Sequence, residues 1–91
     1  MHKVSDAVRS THGQDGAIVL DVQQGQIFSL NLVGSRIFEL LKSGHAETEI
    51  VDEIGREFGV GRELAENDVR EFLQTLKAKH LIVDHEPGLV I

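Results

Sequence analysis

The sequence predicts an α+β domain with its strands first and its helices after them. Three observations carry this. The hydrophobic residues recur with a period of about two before Asn31 and close to 3.6 after it. Turn signals at Asp15-Gly16 and Gly25 divide the first part, and glycines at 44 and 59 cut the second part into helical segments.

Val4, Asp6, Val8 and Ser10 alternate weakly with their neighbours, which predicts a first strand ending near His12. After Asp15-Gly16 comes Ala17-Ile18-Val19-Leu20-Asp21-Val22, a β-branched run suited to a second strand. Gln23-Gln24-Gly25 then leads to Gln26-Ile27-Phe28-Ser29-Leu30. Two apolar runs joined by a short loop ending in glycine predict a hairpin, with Gly25 in the left-handed conformation. Asn31 is a good N-cap, because its side-chain oxygen accepts from a free amide of the first turn. Leu32, Val33, Ile37, Phe38, Leu40 and Leu41 share one side of a first helix that stops at Ser43-Gly44. Ile50, Val51, Ile54 and Phe58 mark a second helix over 47–58, closed by Gly59. A third runs from Arg62 to about Lys79 with Leu64, Ala65, Val69, Phe72, Leu73 and Leu76 as its apolar stripe. Lys77 and Lys79 sit where the helix dipole favours cations. Leu81-Ile82-Val83 predicts a brief strand or a tail laid on the core, and Pro87-Gly88 is a break in any regular structure beyond it.

A chain of 91 residues with 41% hydrophobic content holds one core, so residues 1–91 are expected to form a single, free-standing domain. No apolar run approaches the roughly 20 residues that span a bilayer, which disfavours a membrane partner. Met1 to Ser10 lacks the apolar stretch of a secretory signal, and the expected compartment is the cytoplasm. The absence of cysteine removes disulfides, thiolate metal sites and cysteine nucleophiles together. Of the net charge of −6, all resides between Glu47 and Glu71, where nine acids face three bases. The third helix carries four of each, a poor surface for neutralising phosphates, and this disfavours nucleic acid as a partner.

Little chemistry is patterned in the chain. His2, His12, His45, His80 and His85 show no metal-ligand spacing. No serine lies in a Gly-x-Ser-x-Gly elbow, and Gly55 and Gly59 to Gly61 lack phosphate-loop spacing. No cofactor is implied. The informative feature is the strand Gln26–Leu30, which lies at a sheet edge if the strands pair in order. It holds Ile27, Phe28 and Leu30 without a charge or a proline to guard the edge. Two readings are open. Either a helix covers it and its apolar residues are core, or it borders a groove that accepts an extended peptide as an added strand.

At these residues a resemblance becomes visible. Gly16-Ala17-Ile18-Val19-Leu20-Asp21, Gly25-Gln26-Ile27-Phe28-Ser29-Leu30-Asn31, Gly34-Ser35-Arg36-Ile37-Phe38-Glu39-Leu40-Leu41, Glu49-Ile50, Asp68-Val69, Phe72-Leu73, Leu76 and Leu81-Ile82 together resemble the PqqD-like family, the RiPP recognition elements. The likeness covers about residues 14–83. It implies a winged-helix-like fold, a three-stranded antiparallel sheet followed by three helices, with no enzymatic activity of its own. It also implies a function: binding the leader of a ribosomally made precursor peptide and presenting it to a radical SAM protein or a leader peptidase. Pathways of the pyrroloquinoline quinone, lasso-peptide and other modified-peptide types use such relatives.

Carried onto this chain, the strand contact falls on Gln26, Ile27, Phe28, Ser29 and Leu30, and the helix contact falls between Asp68 and Thr75. Which side chains of that helix turn to the groove the motif leaves open: Phe72 is a candidate contact, yet Phe72, Leu73 and Leu76 are all read as mainly core. Asp68, Glu71 and Thr75 share a face bordering the peptide, whereas Arg70, Gln74 and Lys77 line the other flank, where they would meet acidic leader residues. Two positions depart from the family pattern: Ala46 where a threonine tends to cap the second helix, and His80 where a glycine tends to precede the leucine. Two other readings stand beside this one. One is a winged-helix DNA-binding regulator. The other is a homodimer whose apolar Gly88-Leu89-Val90-Ile91 tail adds to a neighbour's sheet edge.

Overall fold

The computed structural model describes residues 2–84, with side chains for 3–82. The elements in chain order are β1 (His2–Val4), β2 (Val8–Gly13), β3 (Gly16–Asp21), β4 (Gln26–Leu30), α1 (Leu32–Lys42), α2 (Glu47–Phe58), α3 (Arg62–Ala78) and β5 (Ile82–Asp84). Strands β2, β3 and β4 form an antiparallel meander in that order, and β1 pairs antiparallel with β5 in a second, two-stranded sheet. Three antiparallel strands followed by three helices is the predicted α+β architecture.

Period-two alternation places β3 against the helices. Ala17, Val19 and Asp21 are buried while Ile18 between them is 49% exposed. Val19 joins Ile37 and Phe38 of α1, Ile50 and Ile54 of α2, and Val69, Leu73 and Leu76 of α3 in one continuous core. Full burial of each large apolar side chain contributes about 1.5–3 kcal/mol.

Two expectations need correction, and one open choice is decided. The single strand predicted up to His12 is two strands. Ser5 N donates to Leu81 O at 2.9 Å and Ser5 O accepts from Val8 N at 3.1 Å, so a tight turn sends β1 to the edge offered by β5. Leu32 and Leu64, assigned to apolar helix faces, are 51% and 54% exposed, because each sits in the first turn of its helix, beyond the core. Of the two readings of Leu81–Val83, the brief strand is the one formed: Leu81 and Ile82 are core, and Ile82 and Val83 pair with Val4 and Lys3.

The caps are local chemistry. Asn31 Oδ1 accepts from Gly34 N at 2.8 Å as predicted. Ala46 has no side chain to do the same for α2, and the reverse half of a capping box serves instead, with Glu49 Oε1 accepting from Ala46 N at 2.8 Å. After α3, His80 stands at φ 62, with its N–H bonded to Lys77 O at 3.0 Å and Leu81 N bonded to Leu76 O at 2.9 Å. This is a Schellman stop with histidine in the left-handed conformation where glycine is least strained, so the turn keeps its geometry despite the substitution. The predicted tail Gly88–Ile91 lies outside the described residues.

Candidate functional site

Among the described residues β4 pairs only with β3, which leaves its other edge unpaired. The register says which groups that edge offers. Val22 N donates to Ala7 O at 3.0 Å, so the residues of β3 that bond β2 are those in step with Val22, namely Gly16, Ile18 and Leu20. Ala17, Val19 and Asp21 then bond β4 through Leu30, Phe28 and Gln26. Ile27 and Ser29 are left with their N–H and C=O directed to the free edge. Their side chains stand on the outer face of the sheet, where Ile27 is 70% exposed. Phe28 and Leu30 turn inward and pack against the core.

Two glycines set the shape of this strand and its surroundings. Gly16, at φ 146, lets Leu30 O approach so closely that a Cβ there would stand 1.9 Å from it. Gly34, in the first turn of α1, brings α1 under α3, since a Cβ would meet the Phe72 ring at 3.0 Å. The β3–β4 turn is held by Asp21, whose buried Oδ1 accepts from Gln23 N at 3.0 Å and Gln24 N at 3.1 Å, with Gly25 left-handed at φ 69 as predicted.

Between β4, α1 and α3 lies a cleft of about 440 Å³ lined by Ser29, Leu30, Asn31, Val33, Gly34 and Ile37 on one side and Asp68, Glu71, Phe72 and Thr75 on the other. Apolar side chains make its floor and two carboxylates its rim. A second hollow of about 370 Å³, sharing Ser29 and Leu30, continues over the β2–β3 hairpin. At the C-terminal end of α3, Lys79 Nζ lies 5.2 Å from the centroid of the ring of Phe28, the middle residue of β4.

Of the residues expected at the site, Ser29, Leu30, Asp68, Glu71, Phe72 and Thr75 line this one cleft. Gln26, Ile27 and Phe28 continue it along the edge strand. The question left open on α3 is answered by burial: Leu73 and Leu76 are core, and Phe72 is half-buried at the groove. Arg70, Gln74 and Lys77 are not brought there. At about 100° per residue they fall on the far side of α3 from Phe72 and Thr75, and Arg70 Nη2 bonds Glu66 at 3.0 Å.

Sequence reasoning missed Asn31, Val33, Gly34 and Ile37 of the cleft, and it missed that Lys79 reaches Phe28 of β4. Lys79 was legible, since Asp68, Phe72, Thr75 and Lys79 recur at the four-three-four spacing of one helix face. Gly34 was signalled by its type, a glycine within a helix where propensity disfavours it.

Elsewhere the polar groups serve the scaffold. His12 Nδ1 is 3.1 Å from the Oγ of buried Ser35, tying β2 to α1. Arg36 Nε donates to Glu57 at 2.8 Å, which ties α1 to α2 and raises the guanidinium pKa further above its ordinary value. Arg62 pairs with Asp52 across α2 and α3. Among the described residues no three potential metal ligands come together, and no helix is long and apolar enough to cross a membrane.

No curated protein matches the chain. Among solved structures it is similar to that of "TbiB1 in Complex with the TbiA(beta) Leader Peptide", with a TM-score of 0.86 and 44% identity over 92% of this chain and 98% of that one. A second, "Lasso peptide synthetase B1 complexed with the leader peptide", shares the fold at a TM-score of 0.82 and 22% identity, over 91% and 98% of the two chains. The profile of the family described as "Coenzyme PQQ synthesis protein D (PqqD)" matches residues 16–82, from the first residue of β3 into β5, and the chain belongs to that family.

Proposed function

We propose that this protein is a non-catalytic adaptor that binds the leader segment of a ribosomally synthesised precursor peptide by strand addition and presents the peptide to a modifying enzyme. The observation that carries this is the edge of β4, unpaired among the described residues, lying beside the cleft closed by α3. An added strand would pair with the outward N–H and C=O of Ile27 and Ser29, each such bond contributing about 0.5–1.5 kcal/mol net. Every second side chain of that strand would point into the cleft, where Phe72 and Leu30 offer apolar contact. Backbone pairing supplies affinity without regard to sequence, and the cleft supplies selectivity. The 44% identical TbiB1, solved with its leader peptide, supports the same use of this fold here.

An adaptor of this kind needs no catalytic group. Holding a leader raises the local concentration of the attached core peptide at the partner enzyme, of the radical SAM or leader-peptidase type, by making a bimolecular encounter effectively intramolecular. The reading is tested by an amide chemical-shift titration of labelled protein with the leader encoded by a neighbouring short reading frame and with a scrambled control. Saturable shifts concentrated at Ile27, Ser29 and the Asp68–Lys79 face are expected. Equal shifts with the scrambled peptide, or none with either, would overturn it.

A further inference from the structure

Charge is distributed unevenly along the groove. At the Leu30 end its rim carries Asp68 and Glu71, both exposed and neither held in an ion pair with a described residue. Farther along, at the C-terminal end of α3, stands Lys79, its ammonium over the ring of Phe28 at the middle of β4. The charge along this side of α3 therefore changes sign between the part that lines the cleft with Leu30 and the part that reaches Phe28. Eight positions separate Glu71 from Lys79, which is about 12 Å along a helix at 1.5 Å per residue. A strand covers that distance in about four residues, and because its side chains alternate, residues four apart face the same way.

We propose that the groove reads charge as well as shape, taking an extended peptide that carries a basic residue beside Asp68 and Glu71 and an acidic residue about four positions away beside Lys79. This rests on the adaptor reading and adds a specificity rule to it. Antiparallel addition to β4, the more stable ladder, puts the N-terminus of the peptide at the Leu30 end, so the basic residue comes first. A peptide in the opposite direction places like charges at both ends of the groove, and a shifted one loses both attractions. The polarity thus selects direction and register, which backbone pairing alone leaves weakly specified. The pairs are solvent-exposed, so together they discriminate by about tenfold in affinity, and salt screens the effect.

The test uses three fluorescently labelled peptides followed by anisotropy, helped by a protein without tryptophan or tyrosine. The leader encoded by the neighbouring short reading frame, used above to test the adaptor reading, is the reference probe. The other two are synthetic strands identical except that lysine and glutamate, set at that spacing around a central leucine, are exchanged. The lysine-first peptide is expected to bind about tenfold tighter, the preference to invert in a Glu71→Lys/Lys79→Glu protein, and the difference to shrink in high salt. Equal binding of the two orders, tighter binding of the glutamate-first peptide, or an unchanged preference in the exchanged protein would overturn the inference. So would failure of both synthetic peptides where the reference leader binds, and in that case the adaptor reading stands. Failure of all three overturns the adaptor reading and the inference with it. Circular dichroism of the exchanged protein checks its fold, which is not at stake because both side chains are exposed.

Discussion

His80 sits at φ 62 at the end of α3, in a conformation that costs a residue with a Cβ about 1 kcal/mol relative to glycine. Replacing it by glycine removes that strain while leaving the bonds from Leu81 N to Leu76 O and from His80 N to Lys77 O in place. His80→Gly is therefore expected to raise stability by about 1 kcal/mol, seen as a Tm higher by roughly 4–8 °C in thermal denaturation. Gly34 presents the opposite case. A methyl group there meets Phe72 Cε1 at 3.0 Å, so this ring, which lines the cleft, must shift to admit it. Gly34→Ala gains helix propensity of about 1 kcal/mol and loses a similar amount to overpacking. The expected outcome is a nearly unchanged Tm with leader affinity reduced by roughly five- to tenfold in isothermal titration.

At the scale of the element, β4 is an edge strand without the charge or proline that commonly blocks an edge. Its outward groups come from Ile27 and Ser29, so the N–H of Ser29 takes no part in the ladder with β3. Ser29→Pro removes one outward donor and should leave the meander intact, as proline is tolerated on an edge when its missing donor faces away from the sheet. We expect a native-like circular dichroism spectrum and a loss of at least about tenfold in leader affinity. A retained affinity would mean that the peptide does not add as a strand. In α2 the cap is incomplete, because Ala46 offers no acceptor to the amides of the first turn. Ala46→Thr completes the capping box with Glu49 and is expected to add about 0.5–1 kcal/mol, measured as an increased urea midpoint without a change in slope.

For the whole molecule, the helices and the inner face of the meander build one core, while the groove lies at its margin, between a strand edge and a helix face. A leader that binds the folded protein alone should stabilise all of it by mass action, by about 2.7 kcal/mol at a hundredfold excess over Kd. Thermal shift in the presence of the cognate leader should rise with peptide concentration, and the Ser29→Pro protein should show almost none of that rise.

The periodicity, the turn residues and the glycine stops determined the element order by themselves, because they act within a few residues along the chain. The free edge of β4 was implied as soon as the strands were taken to pair in order. Three features were decided only by tertiary structure. β1 separates from β2 because Ser5 and Leu81 meet across nearly the whole chain, and no local pattern records such a meeting. Phe72 faces the groove while Leu73 and Leu76 face the core, since all three are apolar and only the position of α1 beneath Gly34 assigns them their neighbours. That Asp68 and Glu71 line the cleft with Leu30 while Lys79 reaches Phe28 belongs to the same class, because the residues follow one another along one helix in the sequence but meet different parts of β4 only when the strand is laid beside them. Local backbone chemistry chooses the elements; which of their faces becomes a surface depends on contacts between residues far apart in the chain.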